Sequence, residues 1–114
     1  MHFAQVPAVD AASVPQDGFL LDVREDDEWA AGHAEGALHI PMGLIPARIG
    51  EVTEAAAEAD RVYVVCRVGG RSARVTQYLL AQGVDAVNVD GGMLEWEAAG
   101  RPLTGDGDGQ PRVI

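Results

Sequence analysis

Short apolar runs rich in Val, Leu and Ile alternate along the chain with longer segments of helical period. This alternation predicts a parallel or mostly parallel sheet covered by helices. Four runs read as strands: Phe19 to Leu21 ending at Asp22, Leu38 to Ile40 stopped by Pro41, Val62 to Cys66, and Ala86 to Val89. Their brevity and mostly continuous apolar character suit strands buried on both faces. A further, first strand is expected near Phe3 to Val6. Between the strands, Asp26 to Ala31 predicts a short helix opened by acids, which suit its positive end, and stopped by Gly32. Leu44 to Ile49 and Glu51 to Ala59 read as one interrupted helical region. Ser72 to Gln82 carries Val75, Tyr78, Leu79 and Gln82 at helical spacing, with Gly83 placed to end it. A last helix is expected over Met93 to Ala99, before Gly100. The closing stretch TGDGDGQPRVI should be extended or mobile unless Val113 and Ile114 dock somewhere.

Composition narrows the classes of function. With 114 residues the chain is long enough for one domain and too short for two. Eight basic residues, all Arg, face 18 acidic ones, leaving a net charge of -10. Such a surface repels nucleic acid and anionic membranes as a whole, so neither is an expected partner. The single cysteine, Cys66, excludes an internal disulfide and a zinc site built from several thiolates. No metal or cofactor is expected. Met1 to Val14 lacks a basic start followed by a long apolar stretch, and no run reaches the length of a membrane span. A reducing, cytoplasmic setting is the resulting expectation, with a monomer or weak dimer as the assembly.

Most of the functional signal lies in RVYVVCRVGGRSARVTQYLL, where a hydrophobic strand runs into a glycine-containing loop and then a helix, with Cys66 at the strand's end. Arg67, Val68, Gly69, Gly70 and Arg71 must turn around the sulfur. Gly69 and Gly70 permit the positive backbone angles that let successive N–H groups point inward. The helix starting near Ser72 adds unpaired N–H groups and its dipole, so the loop is expected to stabilise an anion at its centre. Arg61 to Arg74 holds four of the eight arginines and none of the 18 acids. Arg61 lies at the far end of the strand and Arg74 can point outward, which leaves Arg67 and Arg71 to recruit a small anionic substrate.

These residues resemble the rhodanese-like, or sulfurtransferase, homology domain. The likeness begins with LLDVREDDEWAAGHAEGALHIP, continues through CRVGGRS and ends with VNVDGGMLEWEAAGRPL. The resemblance implies an α/β fold with a central five-stranded, mainly parallel sheet flanked by helices. It places one domain over residues 1–103 and a Gly/Asp-rich tail over 104–114. It also implies that Cys66 accepts a sulfane sulfur from a small sulfur-containing anion such as thiosulfate, becoming a persulfide. A thiol, cyanide or a protein thiol then takes the outer sulfur. By position, Cys66 is the nucleophile, Arg67 to Arg71 form the anion-binding loop and Ser72 closes it. Asp22 is expected to brace that loop through hydrogen bonds to its backbone, while Arg24 pairs with a nearby acid. His33 sits in the family's turn motif, where its expected role is structural, and Trp29 and Trp96 are expected as core or rim aromatics.

Two other readings stand beside sulfur transfer. A phosphatase and arsenate reductase branch of the superfamily places five residues between cysteine and arginine. Here four separate Cys66 from Arg71, a tighter ring that suits a persulfide better than a phosphoryl group. A non-catalytic sulfur carrier or partner-binding module is the other alternative, since a lone cysteine has no internal thiol to discharge it.

Overall fold

The computed structural model describes residues 6–114. Five strands, β1 (Ala8–Asp10), β2 (Phe19–Asp22), β3 (Leu38–His39), β4 (Val62–Val65) and β5 (Ala86–Asp90), form one sheet in the order β1-β5-β4-β2-β3. Every pairing is parallel. Helices α1 (Asp26–Ala31), α2 (Ile49–Ala56) and α3 (Gly70–Ala81) connect β2 to β5 in turn, and α4 (Gly92–Ala98) follows β5. The expected α/β class and five-stranded sheet are therefore observed.

Alternation along the central strands builds two cores. Leu21, Val62 and Val64 point to one face, where they meet Val52 of α2 and Val75 and Leu79 of α3. Leu20, Val65 and Val89 point to the other, where they meet Met93 and Trp96 of α4. A period of two along each strand dictates this division. Because all strands run the same way, the residues that follow β2, β4 and β5 gather at one edge of the sheet, the edge where open α/β sheets hold their ligands.

Several boundaries differ from the sequence expectation. Of the strand expected near Phe3 to Val6, residues 3–5 lie outside the described residues and Val6 sits in a bend, while the observed edge strand is Ala8–Asp10. The interrupted helical region resolves into a 3-10 turn, Met42–Leu44, followed by α2. Helix α3 begins two residues earlier than expected, at Gly70. It ends as expected, since Gly83 at φ +83° lets its own N–H reach Leu80 O and that of Val84 reach Leu79 O.

The 104–114 segment docks on the domain. Thr104 pairs with His33, Asp106 N and Arg112 N donate to Ala30 O and Ala31 O, and Val113 packs against the second core. Gly32 makes this approach possible: a Cβ there would lie 2.3 Å from Arg112 O. Among the described residues no helix is long and apolar enough to cross a membrane.

Candidate functional site

Strand β4 delivers Cys66 to the ligand edge, and the next three residues reverse the chain into α3. Gly69 makes the turn at φ +117°, an angle that costs a Cβ-bearing residue strain. Its N–H donates to Cys66 Sγ at 3.1 Å, and Ser72 Oγ lies 3.3 Å from the same sulfur. The first-turn N–H groups of α3 have no intrahelical acceptor, so the helix presents its positive end beside the thiol.

What turns the loop inside out is α4. Met93 N and Leu94 N donate to the carbonyls of Cys66 and Arg67 at 2.8 and 3.1 Å, drawing those oxygens outward. Gly92 permits the contact, because a Cβ there would sit 2.4 Å from Cys66 O and its φ is +57°. Asn88 on β5 ties the loop from the opposite side, donating to Gly69 O at 3.2 Å and accepting from Ser72 Oγ at 2.6 Å. Cys66 is 1% exposed and belongs to the first core, whereas Val68 at the crest of the loop is 53% exposed.

A family model described as a Rhodanese-like domain matches residues 8–99, spanning β1 to the end of α4. The chain belongs to the rhodanese-like domain family. It is 45% identical over 85 residues to the Bacillus subtilis protein YtwF, covering 74% of this chain and 78% of that one. A sulfurtransferase of Allochromatium vinosum is 39% identical over 90 residues, covering 77% of this chain and 79% of its own. Among solved structures, a rhodanese-related protein of Thermoplasma volcanium superposes with a TM-score of 0.78 at 26% identity, covering 86% of this chain and 97% of that one. The relatives support sulfur transfer at the level of the family.

Within this rhodanese-like domain the arginines are not free in the way the sequence suggests. Arg71, expected to present its charge to an incoming anion, is held in a two-pronged pair with Glu28 of α1, Nη1 to Oε1 at 2.7 Å and Nη2 to Oε2 at 2.9 Å. The Glu28 carboxyl is consequently lowered from 4.5 to about 2, first by the Arg71 hydrogen bonds. Arg71 is pushed up in turn, first by Glu28 and to a lesser degree by the neighbouring Cys66. Arg67 Nε donates to Ile114 O at 3.0 Å. Arg61 lies against Asp85 at 3.7 Å, before β4 and away from the loop, as its position implies.

The expectation for Asp22 is corrected. Its carboxylate takes no hydrogen bond from the loop; it accepts from Arg24 N, Nε and Nη2, with the closest contact at 2.7 Å. Arg24 pairs with an acid as expected, and that acid is Asp22. The pair is fully buried, and Arg24 also donates to Glu28 O within α1 and to Gly32 O at its C-cap. Support for the loop is thus indirect: Asp22 positions Arg24, Arg24 anchors α1, and α1 carries the Glu28 that grips Arg71.

The histidine in the turn motif serves structure. His33 Nδ1 lies 2.6 Å from Trp29 O, and its ring stacks on Trp29 at 3.5 Å, with His39 on the other face at 4.7 Å. Trp29 is a rim aromatic and Trp96 a core one.

Depression of the Glu28 carboxyl makes the clamp a source of stability above its unfolded value of 4.5, lost as pH falls through about 2. After discounting for partial exposure, Glu28→Gln is expected to cost about 1–2 kcal/mol at neutral pH. Denaturant unfolding at neutral pH and near pH 2 checks this, since the gap between wild type and variant should close in acid. An equal gap at both ends would refute the clamp.

Proposed function

We propose that the protein is a sulfurtransferase that moves a sulfane sulfur from a small anionic donor such as thiosulfate to a thiophilic acceptor through a persulfide on Cys66. The observation that carries the reading is the Gly69 N–H aimed at a sulfur that sits at the mouth of α3. Cys66 thiolate attacks the outer sulfur of thiosulfate, a new S–S bond forms, and sulfite leaves with the electron pair of the old one. A thiolate or cyanide then attacks the outer sulfur of the persulfide, and the bonding pair returns to Cys66 Sγ. Splitting the transfer into two displacements is covalent catalysis, and the N–H groups of Arg67 to Ser72 stabilise charge on sulfur in both.

In this reading Arg67, Val68, Gly69, Gly70, Arg71 and Ser72 bind the donor. Because Arg71 is paired with Glu28 and Sγ is covered at rest, the donor enters by displacing the crest of the loop at Val68, and the backbone supplies most of the anion contact. The 1–103 unit carries the chemistry and the 104–114 segment packs against it.

Incubation with thiosulfate followed by intact mass is the test. A gain of about 32 Da, one sulfur atom, mapped to Cys66 is expected, removed repeatedly by cyanide or a thiol. Removal once without turnover would identify a carrier, and no gain at all would refute the reading. An aryl phosphate should not turn over.

A further inference from the structure

Asn88 is wholly buried and has no part in the displacements above, yet it holds two pieces of the loop. Both of its amide hydrogens are engaged, with Gly69 O at 3.2 Å and Asp90 Oδ1 at 3.3 Å. That fixes the amide with Oδ1 toward Ser72, and Oδ1 can only accept. The Ser72 hydroxyl has one hydrogen and two neighbours that want it: Asn88 Oδ1 at 2.6 Å and Cys66 Sγ at 3.3 Å. With a neutral thiol there is no conflict, since S–H donates to Ser72 Oγ and Ser72 donates to Asn88. A sulfur anion has no hydrogen to give and draws Ser72's beside the Gly69 N–H it already receives, which leaves a buried Oδ1 without its donor.

We infer that the Ser72 hydroxyl is a two-position hydrogen-bond switch, turned to Asn88 while Sγ is neutral and to Sγ when that sulfur carries charge, with Asn88 as the positioning residue that holds it. The inference rests on the sulfur-transfer reading. In the protonated thiol and in the persulfide, Sγ carries no charge and the hydrogen stays on Asn88, whereas the thiolate that attacks the donor draws it to Sγ. When an acceptor takes the outer sulfur, the S–S pair arrives on Sγ and the hydroxyl rotates about its C–O bond to meet it. No proton changes owner in that rotation.

The charged groups on the elements around the loop are Arg71 on α3 with Glu28 of α1, Arg67 in the loop, Asp90 of β5 against Asn88, and the closed Asp22–Arg24 pair at the end of β2. All remain in the test variants; Asp90 loses its Asn88 donor in every Asn88 variant, with Ser72 or without it, so the Ser72→Ala background controls for that change.

The experiment measures the rate of Cys66 alkylation by iodoacetamide, a neutral probe, against pH in the full chain. Asn88→Leu, close in size and without polar atoms, frees the Ser72 hydrogen for sulfur. Its profile should move to lower pH, with a rate at neutral pH about three- to tenfold higher. In a Ser72→Ala background the same substitution should leave the profile where Ser72→Ala alone puts it. Asn88→Ala provides a second variant should Leu disturb folding, which circular dichroism reports. An equal shift with and without Ser72, or none in either, would overturn the switch. Loss of the thiosulfate mass gain in the wild type would instead strike the sulfur-transfer reading, so the two failures are distinguishable.

Discussion

Cys66→Ser is expected to remove the mass gain from thiosulfate and all cyanide-dependent turnover, while the chain still folds. Serine in that position would keep the Gly69 N–H as a partner, so the buried hydroxyl would not be stranded. The exchange of sulfur for oxygen in a core site costs about 1–3 kcal/mol at most when a hydrogen bond is available. A domain of this size commonly has a margin of about 5–15 kcal/mol, which covers that loss. Chemistry is another matter, because a serine hydroxyl needs an adjacent base before it attacks anything. Of the two histidines in the turn motif, His33 is turned toward Trp29 O and His39 toward Arg24 O, both stacked on the Trp29 indole, and neither serves as that base. Activity retained by a folded Cys66→Ser protein would refute the assignment of the nucleophile.

Anion attraction at this site comes less from arginine side chains than the clustering of charge in Arg61 to Arg74 suggests. Arg71 is neutralised by Glu28 and Arg61 lies toward Asp85, while Arg67 donates to a backbone carbonyl. Against the sulfur lie the Gly69 N–H and the Ser72 hydroxyl, both uncharged donors. An acidic protein can in this way hold an electropositive point inside a negative surface.

The parts legible in the sequence are those set by local pattern. Strand β4 is an apolar run without interruption, α3 shows its period and its Gly83 stop, and Gly69 marks the turn after Cys66. Strand β1 has no signature in the sequence, because it is a three-residue edge strand, mostly exposed and paired with β5, so no buried run announces it. The Glu28–Arg71 clamp joins residues 43 apart, and nothing local in either segment points to the other. Asp22 was assigned to the loop because strand ends gather at one edge; proximity was right and the partner was wrong, since Arg24 two residues away satisfies it first. Asn88 left a readable signal that went unused: a lone amide inside the apolar run Ala86 to Val89 is costly to bury, and its presence there asks for partners.

Arg24→Met should be the most damaging change outside the loop, lowering stability by about 3–5 kcal/mol. The substitution takes the Nε and Nη2 donors from the buried Asp22 carboxylate, leaving it only the backbone N–H of residue 24, and removes the Arg24 donors to Glu28 O and Gly32 O. Adding Asp22→Leu should recover part of the loss, because an apolar pair avoids the stranded charge. Recovery will be incomplete, since Gly32 O at the end of α1 still lacks its guanidinium donor in the double variant and Glu28 O keeps only the Gly32 N–H. The functional consequence follows the same chain of contacts: a looser α1 moves Glu28, Arg71 loses its fixed partner, and thiosulfate turnover falls in the variant fraction that remains folded. Urea unfolding of the two variants beside wild type decides the matter. A loss below about 1 kcal/mol for Arg24→Met would mean that water or a rearranged donor satisfies Asp22, and that the buried pair does not hold α1 against the loop.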